Sequence, residues 1–151
     1  MSLAIALHVL AAVIWVGGMF FAHQVLRPVA VDRLEPPHRL PVWVGVFRRF
    51  FPWVWAAVIL LPVTGYWIIF AMLGGMGHAG LHIHIMNGVG LVMIVLFVYL
   101  FFGPYPRLRR AVAGKDWPEG ARHLASIRRI VGINLILGLI TIAVASGGRY
   151  F

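Results

Sequence analysis

From residue 50 to residue 106 the chain carries no charged side chain, and the charges flanking this stretch are nearly all basic. A soluble fold cannot clothe so long an apolar run in a polar surface. A bilayer asks for such runs, because a helix needs about 20 apolar residues to cross the hydrocarbon. Four are present, at residues 3–26, 50–72, 80–102 and 130–146. Joined as spans, they gather Arg27, Arg33, Arg39, Arg48, Arg49, Arg107, Arg109, Arg110, Lys115, Arg122, Arg128 and Arg129 on one side, and of the 13 basic residues only Arg149 falls on the other. Basic loops stay in the cytoplasm. The sequence therefore predicts an all-α, integral membrane four-helix bundle in a bacterial cytoplasmic membrane, with both termini periplasmic and residues 1–151 forming a single transmembrane domain.

The composition agrees: 62% of residues are hydrophobic and 11% are charged. The net charge of +9 sits at span ends, where it sets topology and meets anionic lipid headgroups. That layout argues against nucleic acid as a partner. The chain has no cysteine, which excludes disulfides, thiolate metal sites and iron–sulfur clusters. The N-terminus lacks the basic region and small-residue cleavage site of a signal peptide, and is expected to begin the first span.

The loops are punctuated by proline. Pro28, Pro36, Pro37 and Pro41 occupy the first, and Pro104, Pro106 and Pro118 with Gly114 and Gly120 the third. Both are expected to be extended rather than helical. The glycine-rich stretch Leu73 to Gly80 reads as the turn between spans 2 and 3. Within span 2, Pro62 should bend the helix, with Thr64 compensating the freed carbonyls. Small residues mark helix contacts in lipid: Ala4, Ala11, Gly18 and Ala22 on span 1, and Asn134, Gly138, Thr141 and Ala145 on span 4. Such faces are compatible with a homodimer.

No Asp, Glu, Lys or Arg lies within a span. Proton relays and hard-metal sites ordinarily need them, so a proton-coupled transporter is disfavoured. Histidines remain. His8 lies about two turns into span 1 from the periplasmic side, and His82 and His84 open span 3 from the same side. An imidazole at such depth needs a partner for its ring nitrogens, and two imidazoles on separate helices suit the two faces of a haem iron. His8 with His82, or with His84 as the alternative ligand, is the expected pair. The two span 3 histidines point about 200° apart on a helix, and periodicity does not choose between them. Arg149 would bind the haem propionates through charge-assisted bonds. A second haem between His23 and His123 is a further expectation on the cytoplasmic side. His38, in a proline-rich loop, receives no role.

A second pattern overlaps the first. Met72, Met76, His78, His82, His84 and Met86 crowd the turn between spans 2 and 3, and thioether with imidazole suits copper(I). In this reading His78, Met76 and Met86 join the ligand set.

The stretch Leu7-His8-Val9-Leu10-Ala11-Ala12-Val13-Ile14-Trp15-Val16-Gly17-Gly18 resembles the first helix of a superfamily that holds CopD-type copper-resistance membrane domains and HemJ-type protoporphyrinogen oxidases. Arg48 to Phe51 followed by Pro62-Val63-Thr64-Gly65 resembles its second helix. Gly80-Leu81-His82-Ile83-His84 is similar to a HemJ segment of the form Trp-Leu-His-Val-Lys, and Arg129 and Asn134 resemble the start of the fourth helix. The resemblance implies a four-helix membrane bundle able to hold haem b, with His8 and His82 at the family's histidine positions. The HemJ lysine is His84 here, and Leu135 stands where an acid is expected after the fourth-helix asparagine. Both departures move the chain toward the CopD-like side.

Three functional expectations follow. The first is a b-type haem protein for electron transfer, linked to membrane quinol, with Trp15 or Tyr66 lining the quinol's approach; any enzymatic activity would be that of an oxidoreductase. The second is periplasm-facing copper binding or transport. The third is a HemJ-like protoporphyrinogen oxidase.

Overall fold

Each apolar run is one end of a helical rod that continues past it on the arginine-rich side. In the computed structural model, which describes residues 1–150 apart from the Arg149 side chain, the first rod comprises α1 (Ser2–Phe20), a π-helical turn (Phe21–Leu26) and α2 (Arg27–Arg33). The second is α3 (Pro36–Met72). The third is α4 (Leu81–Phe102) with α5 (Pro104–Ala113), joined at Gly103. The fourth is α6 (Trp117–Gly147). All four rods are long and apolar enough to cross a membrane, and no strand occurs among the described residues.

The expected extended loops are instead helical, and the physical reason lies in where the prolines fall. Pro28, Pro36, Pro104 and Pro118 each occupy the first or second position of a helix. There the missing N–H is one the helix would leave unbonded anyway, and the fixed φ suits the first turn. Pro36, Pro104 and Pro118 therefore start helices, Pro28 follows the π-helical turn within a continuous rod, Pro41 is carried inside α3, and the loops shrink to the short links around Leu34, Gly103 and Lys115. Even the shortest of the unbroken rods, α6 with 31 residues, measures about 46 Å at 1.5 Å per residue, against a hydrocarbon core of about 30 Å. The excess carries the arginines beyond the lipid as rigid helix.

The rods pack as two pairs, α1 on α3, and α4 with α5 on α6, with α6 also meeting α1 and α3; α3 and α4 share almost no close backbone contact. At the arginine-rich end, side chains fill the space between them. Phe47, Phe51 and Trp55 recur every fourth residue on α3, and Phe97, Phe101 and Tyr105 do the same on α4 and α5. These two stripes interlock, with ring centroids 5.5 Å apart for Phe51–Phe97, 5.2 Å for Trp55–Phe97 and 4.8 Å for Phe51–Tyr105. Edge-to-face pairs of this kind contribute about 0.5–1.5 kcal/mol each. In lipid, where apolar burial between helices gains little, such fitted packing is what holds rods together.

Small residues supply the other close contacts, as expected. A methyl at Gly18 would overlap the Phe50 ring, and at Gly138 it would stand 2.8 Å from Val16 Cγ2. Asn134 Nδ2 donates to the Met93 carbonyl at 3.1 Å, tying α6 to α4, while its Oδ1 is buried without a hydrogen-bond partner. Large side chains such as Trp53, Trp67, Phe70 and Val95 face outward, which is the surface a bilayer would cover.

Candidate functional site: an intramembrane cavity lined by His8

Away from the aromatic cluster the gap between α3 and α4 stays open. It forms a cavity of about 500 Å³, walled by α1, α3, α4 and α6. Its lining is overwhelmingly apolar. The polar side chains in it are His8, Tyr66, Asn87, Thr141 and Ser146. Thr141 and Ser146 give their hydroxyl hydrogens to carbonyls of their own helix, Leu137 and Ile142, both at 2.8 Å. Tyr66 on α3 donates to Asn87 Oδ1 on α4 at 2.8 Å.

His8 is held by Thr64. The Thr64 hydroxyl donates to the Leu60 carbonyl at 2.5 Å and lies 2.8 Å from His8 Nδ1. A hydroxyl has one hydrogen. With that hydrogen committed to Leu60, Oγ1 can only accept, so His8 Nδ1 carries the proton and Nε2 keeps the lone pair. Pro62, two residues earlier, frees the Val58 carbonyl; Thr64 bonds the Leu60 carbonyl instead, so its orientation serves the imidazole rather than the proline bend. Gly65 completes the seat, because a Cβ there would lie 3.2 Å from His8 Cε1. An imidazole fixed through one nitrogen presents the other as a ligand.

Of the expected haem pair, His8 lines the cavity and neither His82 nor His84 does. The reason is helical phase. Ile83 faces the cavity, so its two neighbours are each turned about 100° aside. His82 packs against Gly148 at the end of α6, and His84 is exposed. The lining thus offers one imidazole, and a porphyrin clasped on both faces would need two. Arg149, expected at the propionates, has its side chain outside the described residues.

The remaining candidates are dispersed. Met86 lines the cavity together with Met93. Met76 and His78 form a 3₁₀ turn, with Met76 half-buried and His78 exposed. His23 lies in the π-helical turn with its Nε2 against Gly132 of α6 and its Nδ1 3.1 Å from Gln24 Nε2. His123 is buried, with its Nε2 2.8 Å from Glu119 Oε1. Among the described residues, no three His, Cys, Asp or Glu side chains are grouped to hold a metal ion. Two contributors escaped sequence reasoning. Thr64 is 56 residues from His8, and only the register of α1 on α3 brings them together. Met93 had one signal, its seven-residue spacing from Met86, which puts both on one face of α4.

The fold and cavity define a multi-pass helical membrane protein with an apolar, histidine-bearing chamber between two helix pairs. Residues 44–147 match the model of the family described as CopD, copper resistance protein D, and the chain belongs to that family. The matched segment holds Thr64, Tyr66, Met86, Asn87 and Met93, and begins after His8. The chain is also 29% identical over 142 residues to an uncharacterized protein of Aquifex aeolicus (strain VF5), covering 93% of this chain and 90% of that protein. No solved structure matches the chain.

Proposed function

We propose that this chain is a copper-handling protein of a bacterial cytoplasmic membrane, and that its cavity receives copper as the monovalent ion from the periplasmic side. The observation that carries this reading is the His8–Thr64 bond, which leaves the imidazole lone pair at Nε2 in a chamber shared with the thioethers of Met86 and Met93. Imidazole and thioether are the soft and borderline donors that favour copper(I). A chamber without carboxylates gives little to a hard divalent ion. Met72, Met76 and His78 stand near the same end of the bundle, where they would meet incoming copper first. Membership of the copper resistance protein D family supports the same cargo. The distribution of basic residues supports an orientation with both termini in the periplasm.

A haem b reading with quinol as the electron donor would require His82 or His84 to replace Ile83 at the cavity wall. The copper reading requires no such rearrangement.

The test is a titration of the purified full chain in detergent with copper(I), competed against a chromogenic chelator, beside a pyridine-haem assay of the same preparation. Wild type should bind about one copper(I) per chain, with binding lost in His8→Ala and weakened in Met86→Leu. Equal binding by wild type and His8→Ala would remove the cavity from the mechanism. Stoichiometric haem that vanishes with His8→Ala would replace copper with the bis-imidazole reading.

A further inference from the structure

At the opposite end of the bundle a second, smaller cavity of about 160 Å³ lies where the π-helical turn meets α3 and α6. Its lining includes Arg27, Arg39, Arg128 and His23 together with Trp43 and Phe47, and no acidic side chain. Among the described residues the ion pairs all belong to Glu119, with Arg122 and His123. Arg27 and Arg128 therefore meet no carboxylate, and Arg39 has one long bond, 3.4 Å to the Leu34 carbonyl. Three guanidiniums around one small hollow repel one another. Arg27 and Arg39 are half-buried in the hollow and Arg128 is exposed at its edge, whereas Arg33, Arg107 and Arg110 lie outside its lining.

We infer that this hollow is an anion site for a phosphate group, carried either by an anionic phospholipid or by a soluble phosphate compound. The chemistry fits on both sides. Guanidinium forks match the oxygens of phosphate and bind them through charge-assisted hydrogen bonds. Trp43, Phe47 and Leu40 give an apolar wall beside the charges, which suits a ligand with a hydrocarbon portion. The local backbone is also unusual. Residues Phe21–Leu26 form a π-helical turn, a distortion that recurs at functional sites. Across from it α6 presents Gly132, where a Cβ would stand 3.1 Å from His23 Nε2, so a larger residue would crowd His23 in the wall. This site lies apart from the His8 cavity and does not depend on copper.

The experiment is native mass spectrometry of the full chain in detergent, titrated with phosphatidylglycerol or with phosphatidylcholine, whose choline cancels the charge. A parallel arm follows thermal stabilisation by inorganic phosphate. Wild type should retain the anionic ligand preferentially. Arg27→Gln and Arg128→Gln should each weaken retention about tenfold, the scale of one charge-assisted hydrogen bond. Arg107→Gln, an exposed arginine at the same end, should leave it unchanged. Arginine-dependent retention of phosphatidylglycerol assigns the site to lipid; arginine-dependent stabilisation by phosphate without lipid preference assigns it to a soluble compound. If Arg128→Gln fails to insert, Arg128→Lys keeps the charge, removes the fork and should give a smaller loss of the same sign. If neither anion distinguishes the pocket variants from Arg107→Gln, the inference is wrong.

Discussion

Tyr66 on α3 donates a hydrogen bond to Asn87 on α4 across 2.8 Å, linking two helices that otherwise barely meet beyond the reach of the aromatic cluster. Both residues line the cavity, so the bond ties the two pairs of rods together at its wall. Tyr66→Phe should lower stability by about 0.6 kcal/mol and by no more than about 1.7 kcal/mol, the range for such bonds between membrane helices. Unfolding in mixed micelles, with Asn87→Leu and the double variant, would measure the coupling. Strict additivity of the two substitutions would show that the bond contributes nothing.

Thr64 is predicted to govern the His8 cavity without touching cargo. Thr64→Val keeps the shape and removes the hydroxyl, freeing the imidazole to rotate and change tautomer. Copper(I) affinity should fall 10- to 100-fold, roughly the effect of losing an outer-shell partner, while Thr64→Ser should retain most of it. Wild-type affinity in Thr64→Val would sever the link between the pair and copper binding.

Gly138 lies where Val16 of α1 and Met93 of α4 close on α6. A leucine there would wedge the helices apart, at about 1–3 kcal/mol for overpacking, and Gly138→Ala should cost less. Thermal denaturation of the reconstituted protein reads both, and a leucine variant as stable as wild type would contradict the packing described above.

The start of α6 rests on a side-chain cap, Asp116, which accepts from the Glu119 N–H at 3.3 Å. Asp116→Ala should lower stability by about 1 kcal/mol, whereas Asp116→Asn should be nearly neutral. Chemical denaturation in detergent would show the difference, and equal losses in both variants would point to charge rather than capping.

Orientation is open to direct measurement, because the chain has no native cysteine. Single substitutions Ser2→Cys and Lys115→Cys should react with a membrane-impermeant maleimide from opposite sides. In intact spheroplasts Ser2→Cys is expected to label and Lys115→Cys to label only after lysis. The reverse pattern would invert the topology inferred from the arginines.

The four spans were legible because charge and hydropathy vary over whole helices. The helical loops were not, because Pro36, Pro104 and Pro118 look alike whether they open a helix or occupy a coil. Tertiary packing decides between the two. The arginine hollow was equally hidden, since Arg27 and Arg128 resemble any other topology-setting base until α2 and α6 bring them together. Depth singled out His8, and the structure places it in the cavity wall. Its partner was missed because depth carries no information about azimuth. His82 and His84 matched it in level, but Ile83 holds the facing direction, and a residue with a hydroxyl on the neighbouring rod took the place expected for a second ring.

The edge-to-face rings of Phe51, Trp55, Phe97 and Tyr105 have one more consequence. They fill the space between α3 and α4 at the arginine-rich end, and none of them lines the chamber. A solute bound beside His8 would therefore meet a wall of packed rings on the arginine-rich side rather than open space.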